Sequence, residues 1–198
     1  MQGKSMSKDY WNDLYNKEET GWDIGFPSPA IKDYIDRLPN KEISILIPRC
    51  GNAYEAEYLL SQGFTNITVI DIAPTLTTAL ESKFKNIGDS NIKIITGDFF
   101  QHRGKYDLII EQTFLSALDP SARNSYADQM HALLVTGGHL AGVLFRQEFA
   151  EEGPPYGGTI EEYKRLFSKN FYISKMEACN NSIERRKDKE VFIDLVAK

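Results

Sequence analysis

Apolar residues in this chain alternate between short continuous runs and stretches where they recur at helical spacing, the pattern of strands interleaved with helices. Tyr10 to Tyr15 reads as helical, with Trp11, Leu14 and Tyr15 on one face, and Thr20-Gly21-Trp22-Asp23 reads as a turn. Ser28-Pro29 supplies an N-cap and first position for a helix to about Leu38. Ile43, Ile45, Leu46 and Ile47 form a buried strand that Pro48-Arg49-Cys50-Gly51 breaks. Asn52 then caps a helix in which Glu55 stands at capping-box spacing, and Gly63 stops it with Phe64 as apolar follower. Ile67 to Ile70 is the next strand, with Asp71 at its carboxyl end. A helix from Pro74 to about Phe84 follows, then a strand Ile92 to Ile95 that ends at Gly97-Asp98-Phe99. Tyr106 to Ile110 is a fourth strand closing on Glu111. Asp119-Pro120 starts a helix to about Leu134 that Gly137-Gly138 ends, and His139 to Phe145 is a fifth strand. Thr159 with Glu162 makes a second capping box, opening a helix to Phe167. Two strand-like runs, Tyr172 to Ala178 and Glu190 to Val196, finish the chain, joined by the polar segment Asn180 to Lys189.

Strands alternating with helices predict an α/β fold with a doubly wound, seven-stranded, mainly parallel sheet. No helix separates the last two strands, so they form a C-terminal antiparallel hairpin. That ending separates the chain from a dinucleotide dehydrogenase, which often continues into a second domain. No repeat or linker interrupts the pattern, and residues 1–198 read as one domain.

Composition narrows the function classes. A hydrophobic content of 41% with 26% charge is that of an ordinary globular chain. A net charge of -5 and a pI near 5.3 argue against a nucleic-acid or membrane partner. No apolar run reaches membrane-spanning length and no charged-then-apolar leader is present, so a cytoplasmic protein is expected. The segment before Met6 reads equally as a native start or a vector remnant. Cys50 and Cys179 lie far apart and are expected as reduced thiols, and His102, His131 and His139 show no ligand spacing, so no metal site is expected.

The candidate chemistry gathers at the carboxyl ends of the first three strands. The turn Arg49-Cys50-Gly51-Asn52 has one Gly where a dinucleotide fingerprint has three, and it lacks the Gly-Lys-Ser/Thr ending of a phosphate loop. A cofactor without phosphates, its amino-acid portion against the turn, fits better. Asp71, about 20 residues after Gly51, stands where a ribose-binding acid belongs. Asp98 and Phe99 offer a third point for an adenine amino group and ring face, the other reading being a turn with a core Phe. Trp11, Tyr15 and Trp22 form either a satellite cluster packed on the sheet or an aromatic lid over a cationic cofactor, since a sulfonium is attracted to ring faces. The run Glu184-Arg185-Arg186-Lys187-Asp188-Lys189 mixes both signs between two strands and reads as a solvated hairpin loop.

These residues resemble the thiopurine S-methyltransferase family, which includes the plant halide and thiol methyltransferases. The resemblance runs from about Tyr10 to the end. It rests on the Trp11, Tyr15 and Trp22 spacing, Ile47-Pro48-Arg49-Cys50-Gly51, Asp71, Asp98-Phe99, the segment from Ala117 to Met130, and Gly153-Pro154-Pro155-Tyr156. It implies a Rossmann-like class I methyltransferase that uses S-adenosylmethionine and acts on a small-molecule methyl acceptor, a thiol or other soft nucleophile. By that resemblance Trp11, Tyr15 and Trp22 close over the cofactor, Gly51 meets its methionyl end, Asp71 its ribose, and Asp98 with Phe99 its adenine; Ile72 is a further cofactor-binding residue. Glu111 and Gln112 lie near the methionyl group or the acceptor, and Phe114, Phe145, Arg146 and Tyr156 form the acceptor pocket. Two positions depart. Arg49 stands where plant members carry Gly and thiopurine-methylating members Leu, and it either pairs with the cofactor carboxylate or crowds the turn. Gln112 stands where the thiopurine branch has Arg and the plant branch Tyr. No catalytic base is assigned, because a soft anion needs none. The other reading of the departures is a cofactor-binding sensor or scaffold without turnover.

Overall fold

The computed structural model describes residues 7–87, 91–149 and 153–198; the segment before Met6 lies outside them. The elements are α1 (Lys8–Asn16), α2 (Pro29–Ile35), β1 (Ile45–Pro48), α3 (Tyr54–Ser61), β2 (Ile67–Asp71), α4 (Pro74–Ile87), β3 (Ile92–Thr96), β4 (Tyr106–Gln112), α5 (Arg123–Leu133), β5 (Leu134–Phe145), α6 (Ile160–Ser168), β6 (Phe171–Ala178) and β7 (Glu190–Ala197). The strands form one seven-stranded sheet in the order β3-β2-β1-β4-β5-β7-β6. The first five strands pair in parallel, and β7 runs antiparallel between β5 and β6, as the unbroken β6–β7 pattern predicts.

Strand alternation builds a core on each face of the sheet. Ile45, Ile47, Val69, Leu108 and Ile110 point to the side covered by α1 to α4, against Ile31, Leu59, Leu80 and Phe84. Leu46, Ile70, Ile109 and Leu140 point to the other, against Tyr126 and Met130 of α5 and Tyr163 and Phe167 of α6. Burial on both faces explains why these strands read as continuous apolar runs.

Several local expectations change. Pro48 does not break β1 but ends it, paired with Ile70; the β1–β4 register covers only Ile45 and Leu46, so no ladder on that side needs a Pro N–H. The Asn52–Glu55 capping box does not form. Ala53 is the N-cap of α3, in the left-handed region at φ 56°, without a side-chain cap. Asn52 Nδ2 instead donates to Asp23, and Glu55 accepts from the Ser28 N–H at 3.0 Å, a buried donor from a distant segment. Ser28 gives α2 no side-chain cap either, and α2 ends at Ile35. A 3-10 turn over Pro120–Ala122, capped by Asp119, leads into α5, which ends at Leu133. Gly137 and Gly138 lie inside β5, not at the helix end, because Leu134 already pairs with Tyr106 and the extra residues form an irregularity before Leu108 meets His139. The Gly63 stop and the Thr159–Glu162 capping box are present as predicted.

Candidate active site

A cavity of about 460 Å³ opens across the carboxyl tips of the strands, within the range of small-molecule sites. In the turn after β1, Arg49, Gly51 and Ala53 all take positive φ, at 53°, 51° and 56°. Of the three Arg49 lines this cavity, while Gly51 lines a smaller pocket of about 30 Å³ beside it with Trp22, Cys50, Asn52 and Gln112. Side chains resist that region, so Arg49 and Ala53 are strained and Gly51 is not. Packing holds Arg49 there. Its guanidinium lies 4.7 Å from the Trp11 ring centroid and 5.7 Å from that of Phe114, and Nη1 is 3.9 Å from Asp71 Oδ1. Burial pulls the Arg49 pKa down, and Asp71 opposes that pull. The side chain forms part of the wall and leaves the cavity open.

Asp71, at the tip of β2, lines the same cavity although it is only 3% exposed. Its Oδ1 accepts from the Ala73 N–H at 3.0 Å. Burial pushes its carboxyl pKa up; Arg49 and the backbone N–H groups of Ala73, Ile72 and Gly51 counter the shift. Ile72 is half-buried and packs on the helix-side core instead of facing the cavity.

The N-terminal aromatics roof this part of the wall. Trp22 meets Trp11 and Tyr15 edge-on, at 5.4 and 5.7 Å between centroids. Helix α1 is tied to the first turn of α4: Asn12 accepts from the Thr75 N–H at 2.9 Å and Asn16 from its hydroxyl at 3.0 Å. A Cβ on Gly51 would stand 3.9 Å from the Tyr15 hydroxyl, which burial and then Asp71 hold strongly protonated. Trp11 Nε1 is buried with no hydrogen-bond partner, a donor left for something else.

At the tip of β4 the two neighbouring candidates separate. Gln112 lines the cavity with Thr113, Phe114, Ser116 and Ala117. Glu111 faces the other way and is fully buried. It accepts from the Tyr126 hydroxyl and from the N–H groups of Phe114 (2.6 Å) and Leu115 (3.2 Å), and burial pushes its pKa up to about 7. Glu111 therefore anchors the loop that carries the wall and does not form the wall. Asp98 is exposed and caps a 3-10 turn through the Phe100 N–H at 3.0 Å. Phe99 is buried against Phe100, Phe114 and Tyr126, so neither it nor Asp98 lines the cavity.

On the far side Phe145 lines the cavity together with Gln147, Phe149, Pro154 and Pro155. Arg146 turns away, its Nε donating to the Asp188 carbonyl at 3.1 Å. Tyr156 is fixed through its N–H to the Ser116 carbonyl at 2.7 Å and does not reach the lining. The β6–β7 connection supplies residues that sequence reading left in solvent: Arg185, Arg186 and Lys189 all line the cavity. Arg186 is buried, donates to the Trp22 carbonyl at 2.8 Å, pairs with Glu190 at 3.3 Å and stacks 5.3 Å from the Phe145 ring centroid. Arg185 donates to the Asp23 carbonyl at 2.7 Å. The opposite charges of Arg186 and Glu190 four residues apart were the available signal. Tyr10, Leu14 and Gly21 also line the cavity, as sequence neighbours of the aromatic roof.

The family described as thiopurine S-methyltransferase matches residues 6–197. A probable thiol methyltransferase from Arabidopsis thaliana is 30% identical over 161 residues, covering 79% of this chain and 70% of that protein. A thiopurine S-methyltransferase from Acinetobacter baylyi is 26% identical, covering 85% and 87%. Among solved structures, a Burkholderia thailandensis 1,6-didemethyltoxoflavin-N1-methyltransferase with bound S-adenosylhomocysteine superposes with a TM-score of 0.78 at 14% identity, covering 96% of this chain and 87% of that one.

Proposed function

Because the chain belongs to the thiopurine S-methyltransferase family, we propose that the strand-tip cavity holds S-adenosylmethionine next to a thiol or other soft nucleophile. The protein is an S-adenosylmethionine-dependent methyltransferase acting on a small molecule. Asp71 carries the site reading: a buried carboxylate in the cavity wall at the tip of the second strand, where ribose hydroxyls would donate to it. The residues fit the rest of the cofactor. Trp11 has an unused N–H and a ring face that already attracts the Arg49 cation, and Arg49 is within reach of a methionyl carboxylate. Asp98 and Phe99, outside the cavity lining, would act on the adenine end only through the loop after β3, and Gly51, in the smaller pocket beside the cavity, would face the methionyl end.

When bound, S-adenosylmethionine would supply an electrophilic methyl on a sulfonium, to be taken by the electron pair of the acceptor's thiolate, its proton already lost to solvent, with S-adenosylhomocysteine as the leaving group. The chain's residues align the partners and exclude water. Gln112 and Phe114 border the transfer position, and Phe145 gives the acceptor an apolar surface. Trp11, Tyr15 and Trp22 act as a lid within a single methyltransferase unit. The thiols of Cys50 and Cys179 are buried and unpaired, in keeping with a cytoplasmic enzyme; no helix among the described residues is long and apolar enough to cross a membrane. Binding without turnover, the other reading of Arg49 and Gln112, is not favoured: Arg49 leaves the cavity open, and the named relatives are methyltransferases.

Calorimetric titration with S-adenosylhomocysteine, followed by a methyl-transfer assay on a panel of thiols, tests the reading. Binding with methylated product is expected. Absence of binding would remove the cofactor site.

A further inference from the structure

At the end of the cavity formed by β1 and β2 the charged lining residues are one opposed pair, Arg49 and Asp71. Asp71 accepts from the N–H of its own loop. Arg49 is held differently. Its side chain is 15% exposed, and its guanidinium makes no hydrogen bond among the described residues. Asp71 Oδ1 stands 3.9 Å away, and the Trp11 and Phe114 rings flank the guanidinium at 4.7 and 5.7 Å. A cation lying on a ring face uses the same attraction that would hold a sulfonium. The face of Trp11 that would serve the donor therefore carries a resident positive charge. The backbone fixes where that charge starts, since the Arg49 N–H donates to the Ile70 carbonyl at 2.7 Å.

The sulfur of the cofactor is one methylene from its ribose ring. A ribose held by Asp71, with transfer at Gln112 and Phe114, confines that sulfur to the stretch that Arg49 spans, because the guanidinium lies against both limits. Little else there is charged. Asp71 is the one carboxylate among the lining residues. Burial and then Asp71 hold the Tyr15 hydroxyl protonated, and burial does the same for the Cys50 thiol. Glu111 is turned to the far side of the wall, against Tyr126. A sulfonium thus enters beside a carboxylate that a guanidinium has largely neutralised, while a neutral thioether meets no like charge.

We infer that Arg49 sets the discrimination between the charged donor and its neutral product, weakening S-adenosylmethionine relative to S-adenosylhomocysteine. This rests on the methyltransferase reading of the cavity. The two ligands share adenine, ribose and methionyl carboxylate, so whatever Arg49 contributes to those groups cancels from the ratio of their affinities. Only the sulfonium charge remains. Two like charges several ångströms apart in a partly buried site repel enough to change that ratio about tenfold. Product that accumulates then competes the more effectively for the site, and turnover follows the ratio of donor to product.

Calorimetric titration with each ligand, without acceptor, gives the ratio for the parent and for Arg49→Leu, Arg49→Gln and Arg49→Lys. Both neutral variants are expected to shift it about tenfold towards S-adenosylmethionine, while Arg49→Lys, which keeps the charge, stays close to the parent. S-adenosylhomocysteine is the internal reference: a variant that binds it is folded, and a general loss of affinity leaves the ratio where it was. A ratio that the neutral variants leave unmoved, or that Arg49→Lys moves as far as they do, would overturn the inference and leave the methyltransferase reading standing. A parent that binds neither ligand would overturn both.

Discussion

Glu111 is a fully buried carboxyl group, satisfied by the Tyr126 hydroxyl and two backbone N–H groups of the loop that walls the cavity. Its pKa is raised from 4.5 to about 7, chiefly by burial. The folded state therefore binds a proton that the unfolded chain releases, and stability falls as pH rises from about 4.5 to about 7, then levels. Each pKa unit is worth about 1.4 kcal/mol, so the loss is on the order of 3 kcal/mol. Glu111→Gln keeps an acceptor for the N–H groups and removes the titration. Thermal denaturation at about pH 5 and about pH 8 should show the variant gaining on the parent at the higher pH; a gap that stays constant would mean that Glu111 does not titrate in this window. At this scale the sequence was readable in residue type and unreadable in direction. Glu111 and Gln112 are neighbours, yet strand alternation sends one into the α5 side and the other into the cavity. Phe99 is likewise taken by its ring neighbours.

The elements whose form depended on their own residues matched expectation; those that depended on a distant partner did not. The Thr159–Glu162 cap closes on itself within one turn and is present. Glu55 had the same spacing from Asn52, but the buried Ser28 N–H claims it. The β6–β7 connection is the clearest case. Its charges look like a solvated loop, yet Arg186 and Glu190 form a buried pair that also clamps the Trp22 carbonyl. Arg186→Leu strands Glu190, which is 3% exposed, and should cost about 3–5 kcal/mol, read in urea unfolding. Pairing it with Glu190→Leu should recover much of that loss, because neither charge is then left buried alone. An equal loss in single and double variants would assign the effect to the Trp22 clamp.

For the whole molecule, the cavity lies where β2, β1, β4, β5 and β7 bring their tips into line, and it joins the N-terminal helix to the C-terminal hairpin. Ligand binding should then stabilise the entire fold. At a concentration about a hundred times its Kd, S-adenosylhomocysteine should add about 2.7 kcal/mol and raise Tm by roughly 5–10 °C. Asp71→Ala should weaken that ligand by about 1–3 kcal/mol and lose from about a third to about nine-tenths of the shift at the same concentration; an undiminished shift would remove Asp71 from the site. The chain alone determined the strand and helix order, the parallel sheet with its terminal hairpin, and the acid at the β2 tip. Those follow from periodicity and local turn chemistry, which act over a few residues. Only the tertiary structure decided that Arg49 lies on Trp11 and that Glu111 turns inward. It also decided that the arginines before β7 close the cavity, because each of those outcomes depends on which residue of a remote segment arrives beside it.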